Sequence, residues 1–443
     1  MNLPINDIGG KEMSKFTKKR VLIFPSGMEN GIEIGKSLKF CKEIEVFSAT
    51  ANVQNQAFYL YNNNNIVRHI NEDGWVDDLN SAIDENKIDI IYPANSLVID
   101  ALNKNRKNIR ADVLLPSESI IDLTRSKKKT LNTLMDLIDI PKVYNSIDDI
   151  LEFPVFIKPD RGYGAQGASV IQHASELDSL ELNDFIIQEL LPGKEYTIDC
   201  FSDLNGNLMF CSGRERSRIR MATSMHAEDI SEELNGFFRE IAGKILSRIP
   251  IEGAWFFQMK EDSVGKLKLL EIDVRIAGTM AFNRCKGVNF PLLSLYQYYG
   301  HDVGLLTNNV HFSMDRCLKN RYVLDYFYDT VYVDLDDTII VKGKLNLELI
   351  TFLYQCVNKG IRIVLVSKNL LEDKKQYLID RKIYQLFDEI IWLEENDKKY
   401  RYMKNQHAIF IDDSYSQRKE TAEILGIPTF DCSMVEALLD DRE

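Results

Sequence analysis

The chain has 443 residues, 45% of them hydrophobic and 27% charged, with a formal net charge of -13. That length exceeds what one core usually holds, so two to four domains are expected. The acidic balance argues against a large nucleic-acid footprint, which needs a basic face. Seven scattered cysteines without a CxxC pair give no disulfide framework or zinc site and fit a reducing compartment. No apolar run approaches the roughly 18–20 residues that span a bilayer, and Met1 to Arg20 lacks a signal-peptide core. The cytoplasm is the expected location, with no membrane and no nucleic-acid partner.

Residues 1–17 read as a flexible lead-in. Arg20 to Phe24 is a short apolar strand ending in Pro25-Ser26-Gly27, Gly31 to Phe40 has helical spacing, and Ile44 to Phe47 is the next strand. The asparagine run Asn62–Asn65 reads as a loop. Ile88 to Tyr92 is a further strand, ended by Pro93-Ala94-Asn95 and followed by a helical pattern. This alternation predicts a small α/β domain with a parallel sheet over residues 18–115. It holds no Gly-x-Gly-x-x-Gly, so the alternation alone licenses no dinucleotide site.

The character changes at Pro116. Ser117 to Leu137 is one amphipathic helical region, and strand–turn–strand patterns follow at Val155–Lys158, Ala168–Ile171 and Phe185–Gln188. Two more strands, Gly253–Gln258 and Lys266–Glu271, flank a charged hairpin at Glu261–Gly265. A helical segment follows Phe290, and Thr330 begins a new strand–loop–helix alternation that runs to the end. No internal repeat is visible.

The stretch Val155 to Val170 places Lys158 at a strand end before Gly162, Gly164 and Gly167. Glycines let backbone N–H groups close on phosphate oxygens, and the lysine adds a fixed charge. Taken alone, a flexible hairpin with an incidental lysine explains the stretch equally well. Lys127 offers a second cation upstream. Gln258 lies on one strand, while Glu271, Asp273 and Arg275 share a face of the next because side chains alternate with period two. Carboxylate and amide oxygens are hard donors of the kind Mg²⁺ accepts beside nucleotide phosphates. Arg214, Arg216, Arg218 and Arg220 alternate along one strand, where they either hold an anionic substrate or form a solvated edge. Arg214 and Arg216 are the stronger substrate candidates. His226 reads as a surface-loop residue rather than a base.

In order, "SKKKT", "FIKPDRGYGAQGASV", "IIQELLPGKEYTIDC", "GAWFFQM" and "LLEIDVRIAG" resemble the ATP-grasp superfamily, in its carbamoyl-phosphate-synthetase-like and amino-acid-ligase branch. The resemblance covers about residues 18–320 and implies an α/β domain ahead of an ATP-grasp domain at 116–322. It implies ATP and Mg²⁺, with Lys127 and Lys158 on the phosphates and the loop of Gly164, Gly167 and Ala168 folding over them. Gln188, Glu189 and Leu191 would border adenine, and Glu195 would meet the ribose. Gln258, Glu271 and Asp273 would hold the metal, and Arg275 would steady an acyl phosphate. The sequence departs from the family's Glu-x-Asn-x-Arg by carrying Asp273 in the middle, which adds a negative charge. The implied chemistry joins a small-molecule carboxylate to an amine. One grasp unit makes carbamoyl phosphate synthesis itself an unsuitable reading.

In the last third, Asp334, Asp336, Asp337 and Thr338 follow an apolar strand, Ser367 ends a second, and Asp412 and Asp413 end a third. Polar groups at the C-terminal ends of α/β strands converge where ligands bind, and two carboxylates at i and i+2 suit a nucleophile and an acid/base around one Mg²⁺. This succession resembles the haloacid-dehalogenase (HAD) phosphatase superfamily over 328–443. That resemblance implies a capless Rossmann-like domain, with Asp334 as nucleophile, Asp336 as acid/base and Thr338 fixing the loop. It places Ser367 on the phosphate and Asp334, Asp336, Asp412 and Asp413 on the metal. The expected lysine is open between Lys398 and Lys399, with Lys399 preferred. The whole reads as an α/β and α+β multidomain ligase fused to a phosphatase-like domain. The alternatives are a ligase with a non-catalytic second domain, or a nucleotide-dependent binding protein. A homodimer is the base-rate expectation.

Overall fold

The structure is a computed structural model that describes residues 17–162, 166–177, 182–220, 223–308, 310–368, 372–404 and 406–442. The expected lead-in therefore lies almost wholly outside the described residues. The chain divides into two units, Met1–Cys317 and Leu318–Glu443.

The first unit opens with β1 (Lys19–Phe24), α1 (Glu29–Leu38), β2 (Ile44–Thr50), β3 (Asn64–Ile66), α2 (Trp75–Asn86), β4 (Ile90–Pro93), α3 (Ser96–Lys104) and β5 (Asp112–Val113). These strands form a parallel sheet in the order β3-β2-β1-β4-β5. The central strand buries Val21, Leu22 and Ile23 completely, as expected where crossover helices cover both faces. The asparagine run is not wholly a loop: Asn64–Ile66 pairs with β2. Its polar side chains reinforce the edge, Asn64 Oδ1 accepting from Ser48 Oγ at 2.6 Å and Asn65 Nδ2 donating to the Ser48 carbonyl at 3.0 Å. The strand order reverses beside β1, so the N-terminal ends of α1 and α3 flank the crevice where such sheets bind ligands.

The single helical region expected after Pro116 is two helices, α4 (Glu118–Arg125) and α5 (Lys127–Leu134). Ser126 breaks them with an extended backbone and caps the second, its hydroxyl accepting from Lys129 N at 3.2 Å. Lys127 thereby becomes the first residue of a helix.

An antiparallel sheet follows, with β6 (Val143–Tyr144), β7 (Val155–Pro159), β8 (Ser169–Ile171) and β9 (Phe185–Glu189) in the order β6-β9-β7-β8. Next come β10 (Glu195–Ser202), β11 (Leu208–Glu215), β12 (Ile219–Arg220), β13 (Thr223–Ser224), β14 (His226–Glu228), α6 (Glu232–Arg248), β15 (Gly253–Glu261) and β16 (Leu267–Asp273). The larger sheet runs β11-β10-β15-β16. Helix α6 buries Phe238, Ile241, Ala242 and Ile245, a single stripe at helical spacing, in one core with Ile198, Trp255 and Phe257. The unit ends with α7 (Ala281–Cys285), α8 (Phe290–Tyr298) and β17 (Ser313–Asp315). His226 is on a strand rather than a loop: it pairs with Asp315 across β14 and β17, its Nδ1 lying 3.3 Å from an Asp315 oxygen.

The second unit contains β18 (Thr330–Val333), β19 (Ile340–Val341), β20 (Lys344–Leu345), α9 (Leu347–Lys359), β21 (Arg362–Ser367), α10 (Lys374–Asp380), β22 (Glu389–Trp392), β23 (Ala408–Ile411), α11 (Tyr415–Leu425) and β24 (Thr429–Phe430). Its parallel sheet runs β22-β21-β18-β23-β24, so the carboxyl ends of β18, β21 and β23 lie side by side. Asn346 caps α9 by accepting from Leu349 N, and Gly360 ends it at φ 67°.

The first unit's core makes a direct prediction. Phe257 is fully buried beside Trp255, so Phe257→Ala should cost about 3–5 kcal/mol. Val264→Ala, at the exposed hairpin tip, should change stability by less than about 0.5 kcal/mol. Denaturant unfolding followed by tryptophan fluorescence reads both.

Candidate functional site

A cavity of about 510 Å³ lies in the first unit. Its wall includes Lys127 from the start of α5, Lys158 from β7, Gln188 from β9, Glu195 from β10, Gln258 from β15 and Glu271 from β16. Asp160 brings the two lysines together. Its carboxylate accepts from Ser126 Oγ at 2.8 Å and from Lys128 N at 2.7 Å, and its carbonyl accepts from Lys127 Nζ at 3.4 Å. The sequence reading missed this clasp, although an aspartate two residues after a strand-end lysine was visible.

Lys158 is 8% exposed, and its ammonium donates to the Leu270 carbonyl at 3.1 Å. Burial, opposed by Glu271 and assisted by Lys127, lowers its pKa to about 8. The acceptor has a local origin. Across β15 and β16, Met259 pairs with Leu269 and Gln258 with Glu271, so Leu270 is an extra residue. A bulge leaves such a residue out of the ladder, and its carbonyl is the one Lys158 takes.

Gly167 has φ 73°, and a Cβ there would come within 3.0 Å of the Pro159 ring, so this turn requires glycine. Ala168 lines the cavity, and Gly164 lies outside the described residues. Gln188 and Leu191 line the cavity. Glu189 does not: strand alternation turns it away, and its carboxylate accepts from Lys142 N at 2.7 Å and from Lys268 Nζ at 2.5 Å. The expected contact of this strand with adenine runs through its backbone, which this orientation of the Glu189 side chain leaves untouched.

Arg216 ties the cavity's polar wall together. Its Nε lies 2.9 Å from Glu195, and its Nη1 donates at 2.8 Å to the Gln258 oxygen when that amide is oriented to donate to Glu271 at 3.3 Å. Gln258 and Glu271 are therefore adjacent. Asp273 is not with them on the wall. One of its oxygens accepts from Ser96 Oγ at 2.7 Å and lies 2.9 Å from Arg275 Nε. Arg275 also donates to Ser96 Oγ at 2.8 Å and lines the cavity. The three expected metal donors thus form an adjacent pair plus an aspartate engaged with Ser96 and Arg275.

The row of arginines is not one strand face. Strand β11 ends at Glu215, Arg218 is exposed and paired with Asp315 at 2.7 Å, and Arg220 belongs to β12. Arg214 is 1% exposed, with Nη1 on Asp199 and Nε donating to Thr279 Oγ1 at 2.7 Å. Asn283 Nδ2 adds a bond to Asp199 at 2.7 Å. Burial pushes the Asp199 carboxyl up, while Arg214 and Asn283 hold it down. The solvated-edge alternative fails for Arg214, which lines the cavity from the protein interior.

The second constellation lies in the second unit. Asp334, Asp412 and Asp413 each place a carboxylate oxygen within 4.8 Å of the others. Lys399 is 4% exposed, with Nζ 2.8 Å from Asp334 and 2.5 Å from Asp412. Lys398 instead pairs with Glu420 at 2.9 Å. Burial pushes Asp334 up to about 6, against the pull of Lys399 and with the help of Asp412; burial also raises Asp412. Thr338 Oγ1 accepts from Asp413 N at 2.9 Å, which fixes one aspartate loop on the other. Ser367 is fully buried at the end of β21. Asp336, expected with the metal residues, is exposed and its carboxylate stands outside the cluster of Asp334, Asp412 and Asp413. Unforeseen was Arg418, whose Nη1 donates to the carbonyls of Asp412 and Asp413 at 2.6 Å each.

Residues 181–314, which supply part of the wall of the first cavity, match a family model described as ATP-grasp in the biosynthetic pathway with Ter operon. Among solved structures, biotin carboxylase from Campylobacter jejuni is similar at TM-score 0.56 and 15% identity, over 66% of this chain and 74% of that one. N5-carboxyaminoimidazole synthetase from Staphylococcus aureus, complexed with ADP, is similar at 0.54 and 15%, over 67% and 81%. The chain contains an ATP-grasp-like fold. The biotin carboxylase domain of 2-oxoglutarate carboxylase from Hydrogenobacter thermophilus, with MgADP and bicarbonate, reaches 0.55 at 14% identity, over 67% and 73%. No curated protein matches the sequence. Among the described residues, no helix is long and apolar enough to cross a membrane.

The buried pair beneath the ATP-grasp-like cavity gives a second prediction. Arg214→Met strands the Asp199 carboxylate and should cost about 3–5 kcal/mol. Adding Asp199→Leu should recover part of that loss, as read by thermal unfolding.

Proposed function

We propose that the first unit is an ATP-dependent carboxylate–amine ligase acting through an acyl phosphate. We further propose that the second is a Mg²⁺-dependent phosphatase for a phosphorylated relative of its substrate or product. The observation that carries the ligase reading is the convergence on one cavity of two lysines, an adjacent Gln258–Glu271 pair, and Arg275 beside the N-terminal ends of α1 and α3. The ATP-grasp-like fold and the ADP and MgADP in similar structures support ATP as the nucleotide.

In this reading Lys127 and Lys158 hold the β- and γ-phosphates, under the loop that contains Gly164, Gly167 and Ala168. Gln188, Leu191 and the backbone at Glu189 border adenine, and Glu195 meets the ribose. Gln258 and Glu271 fit a magnesium ion, being hard oxygen donors side by side, with Asp273 completing the set on release from Ser96. Bound there, the ion would neutralise phosphate charge. A substrate carboxylate oxygen attacks the γ-phosphorus and ADP leaves. The amine nitrogen then attacks the acyl carbon, phosphate leaves, and the amine gives up a proton. Arg275 steadies the acyl phosphate, and the fixed cations require no reorganisation as charge moves.

In the second unit, the clustered aspartates also fit a hard divalent cation, which would neutralise the phosphate under attack. Asp334 forms the phospho-enzyme bond while Asp336 gives the leaving alcohol a proton. Asp336 then takes a proton from the water that cleaves the aspartyl phosphate. Lys399 compensates the paired carboxylates, and Ser367 receives the phosphate.

The test is ADP release from purified protein with Mg²⁺, ATP and pools of acids and amines. Lys158→Ala should lower acid- and amine-dependent ADP release by ~10²-fold or more, the scale of losing one fixed donor to a developing charge. Unchanged turnover in that variant would contradict the assignment. Asp334→Asn should abolish cleavage of a chromogenic phosphate ester and leave ADP release intact. Retained cleavage would remove Asp334 from the chemistry.

A pH signature follows from Lys158. Its folded pKa is depressed to about 8, so the free site loses this charge as pH rises through 8. Phosphate binding favours the ammonium, so nucleotide binding near pH 8 should take up a fraction of a proton, and affinity should fall above that pH. Calorimetry in buffers of different ionisation enthalpy measures the uptake, and Lys158→Met should eliminate it.

A further inference from the structure

We infer that the acid taken by this cavity carries a second anionic group, and that Arg214 is the residue that recognises it. The inference rests on the ligase reading and goes on to name the class of substrate.

Arg275 and Arg214 enter the same end of the cavity from different supports. Arg275 is set by Ser96 and Asp273. Arg214 is set by Asp199 and Thr279, far enough inside to be 1% exposed. Contacts through Asn30 join the two supports: its Nδ2, on α1, donates to the Ala94 carbonyl at 3.1 Å, and its oxygen sits against Gly278, next to Thr279. This end is also where the N-terminal turns of α1 and α3 meet the cavity, through Asn30 and Ser96.

The deciding feature is the guanidinium's third edge. Nη1 and Nε of Arg214 are engaged, whereas Nη2 is buried without a hydrogen-bond partner among the described residues. A buried unsatisfied donor on a charged group is costly, and here it belongs to a residue of the cavity wall. Arg216 offers no equivalent, because it bridges Glu195 and Gln258. Asp199 has fixed the fork rigidly, so little side-chain entropy remains to be lost when an oxyanion docks. Glu29, the acidic residue on the same rim, is exposed. Arg275 is committed to the reacting carboxylate, so Arg214 is left for a different oxyanion on the same molecule. The substrate class is a dicarboxylic acid or an acid bearing a phosphate, and the shared chemistry is a second oxyanion in fork geometry.

The experiment measures binding to the full-length protein with Mg²⁺ and ADP, by calorimetry. The probes are succinate, glutarate and adipate, the phosphorylated acids phosphoserine and 3-phosphoglycerate, and the matched monocarboxylates butyrate, pentanoate and hexanoate. At least one dianion should bind ~10-fold or more tighter than its monoanionic partner, and the two sets separate carboxylate from phosphate as the second group. Arg214→Lys should weaken that preference. Asp199→Asn/Arg214→Gln, which removes both charges while keeping shape, should abolish it without changing ADP affinity. The inference is overturned if dianions and monoanions bind alike, if the preference survives the double substitution, or if ADP binds and no acid does. Absence of ADP binding in the wild type would instead overturn the nucleotide reading beneath it.

Discussion

One buried ammonium organises the first unit. Lys158 leaves water at the end of β7 and, among the described residues, is met by one neutral acceptor, the Leu270 carbonyl. That acceptor exists because β16 carries one residue too many opposite β15. A bulge in one sheet therefore supplies the partner for a lysine from another, and the same displacement sets Glu271 directly across from Gln258. One neutral hydrogen bond does not fully compensate a buried charge, so the lysine's pKa falls and the site favours an incoming anion. In the proposed ligase the cation would be held in place before the phosphate arrives, which is the condition for electrostatic stabilisation without reorganisation.

The second unit reaches a comparable poise with the signs exchanged. Two aspartates at adjacent strand ends share one lysine, and burial pushes both carboxyls up against its pull. Thr338 and Arg418 hold the two loops through backbone atoms and leave carboxylate oxygens facing one another. In one unit a cation is buried with a neutral acceptor, and in the other carboxylates are gathered around one lysine.

Most of the secondary structure was legible because its signals are local. Continuous apolar runs marked β1, β18 and β23. Asn64–Ile66 was hidden because its edge pairing relies on amide side chains rather than apolar ones, and the break at Ser126 was masked by an amphipathic pattern that continues through it. At the site, residue types in order pointed to Lys127, Lys158, Asp334 and Asp412. What the sequence could not give was direction. Period two put Asp273 on the metal face, but Ser96, from a distant helix, engages it. Spacing left Arg214 open between a substrate contact and a solvated edge, and only its buried partner Asp199 shows that it lies inside. Tertiary partners of these kinds leave no trace in spacing, and neither does the clasp at Asp160.

The central claim is that the first unit makes an acyl phosphate. It is tested most directly by positional isotope exchange, with ATP carrying ¹⁸O in its β,γ-bridge, a pool of carboxylic acids, Mg²⁺ and no amine, followed by ³¹P NMR. Reversible phosphoryl transfer to an acid lets the ADP β-phosphate rotate before ATP re-forms, so the bridge label should scramble only when acid is present. ADP release that requires acid and amine together, with no scrambling when the acid is present alone, would contradict the account.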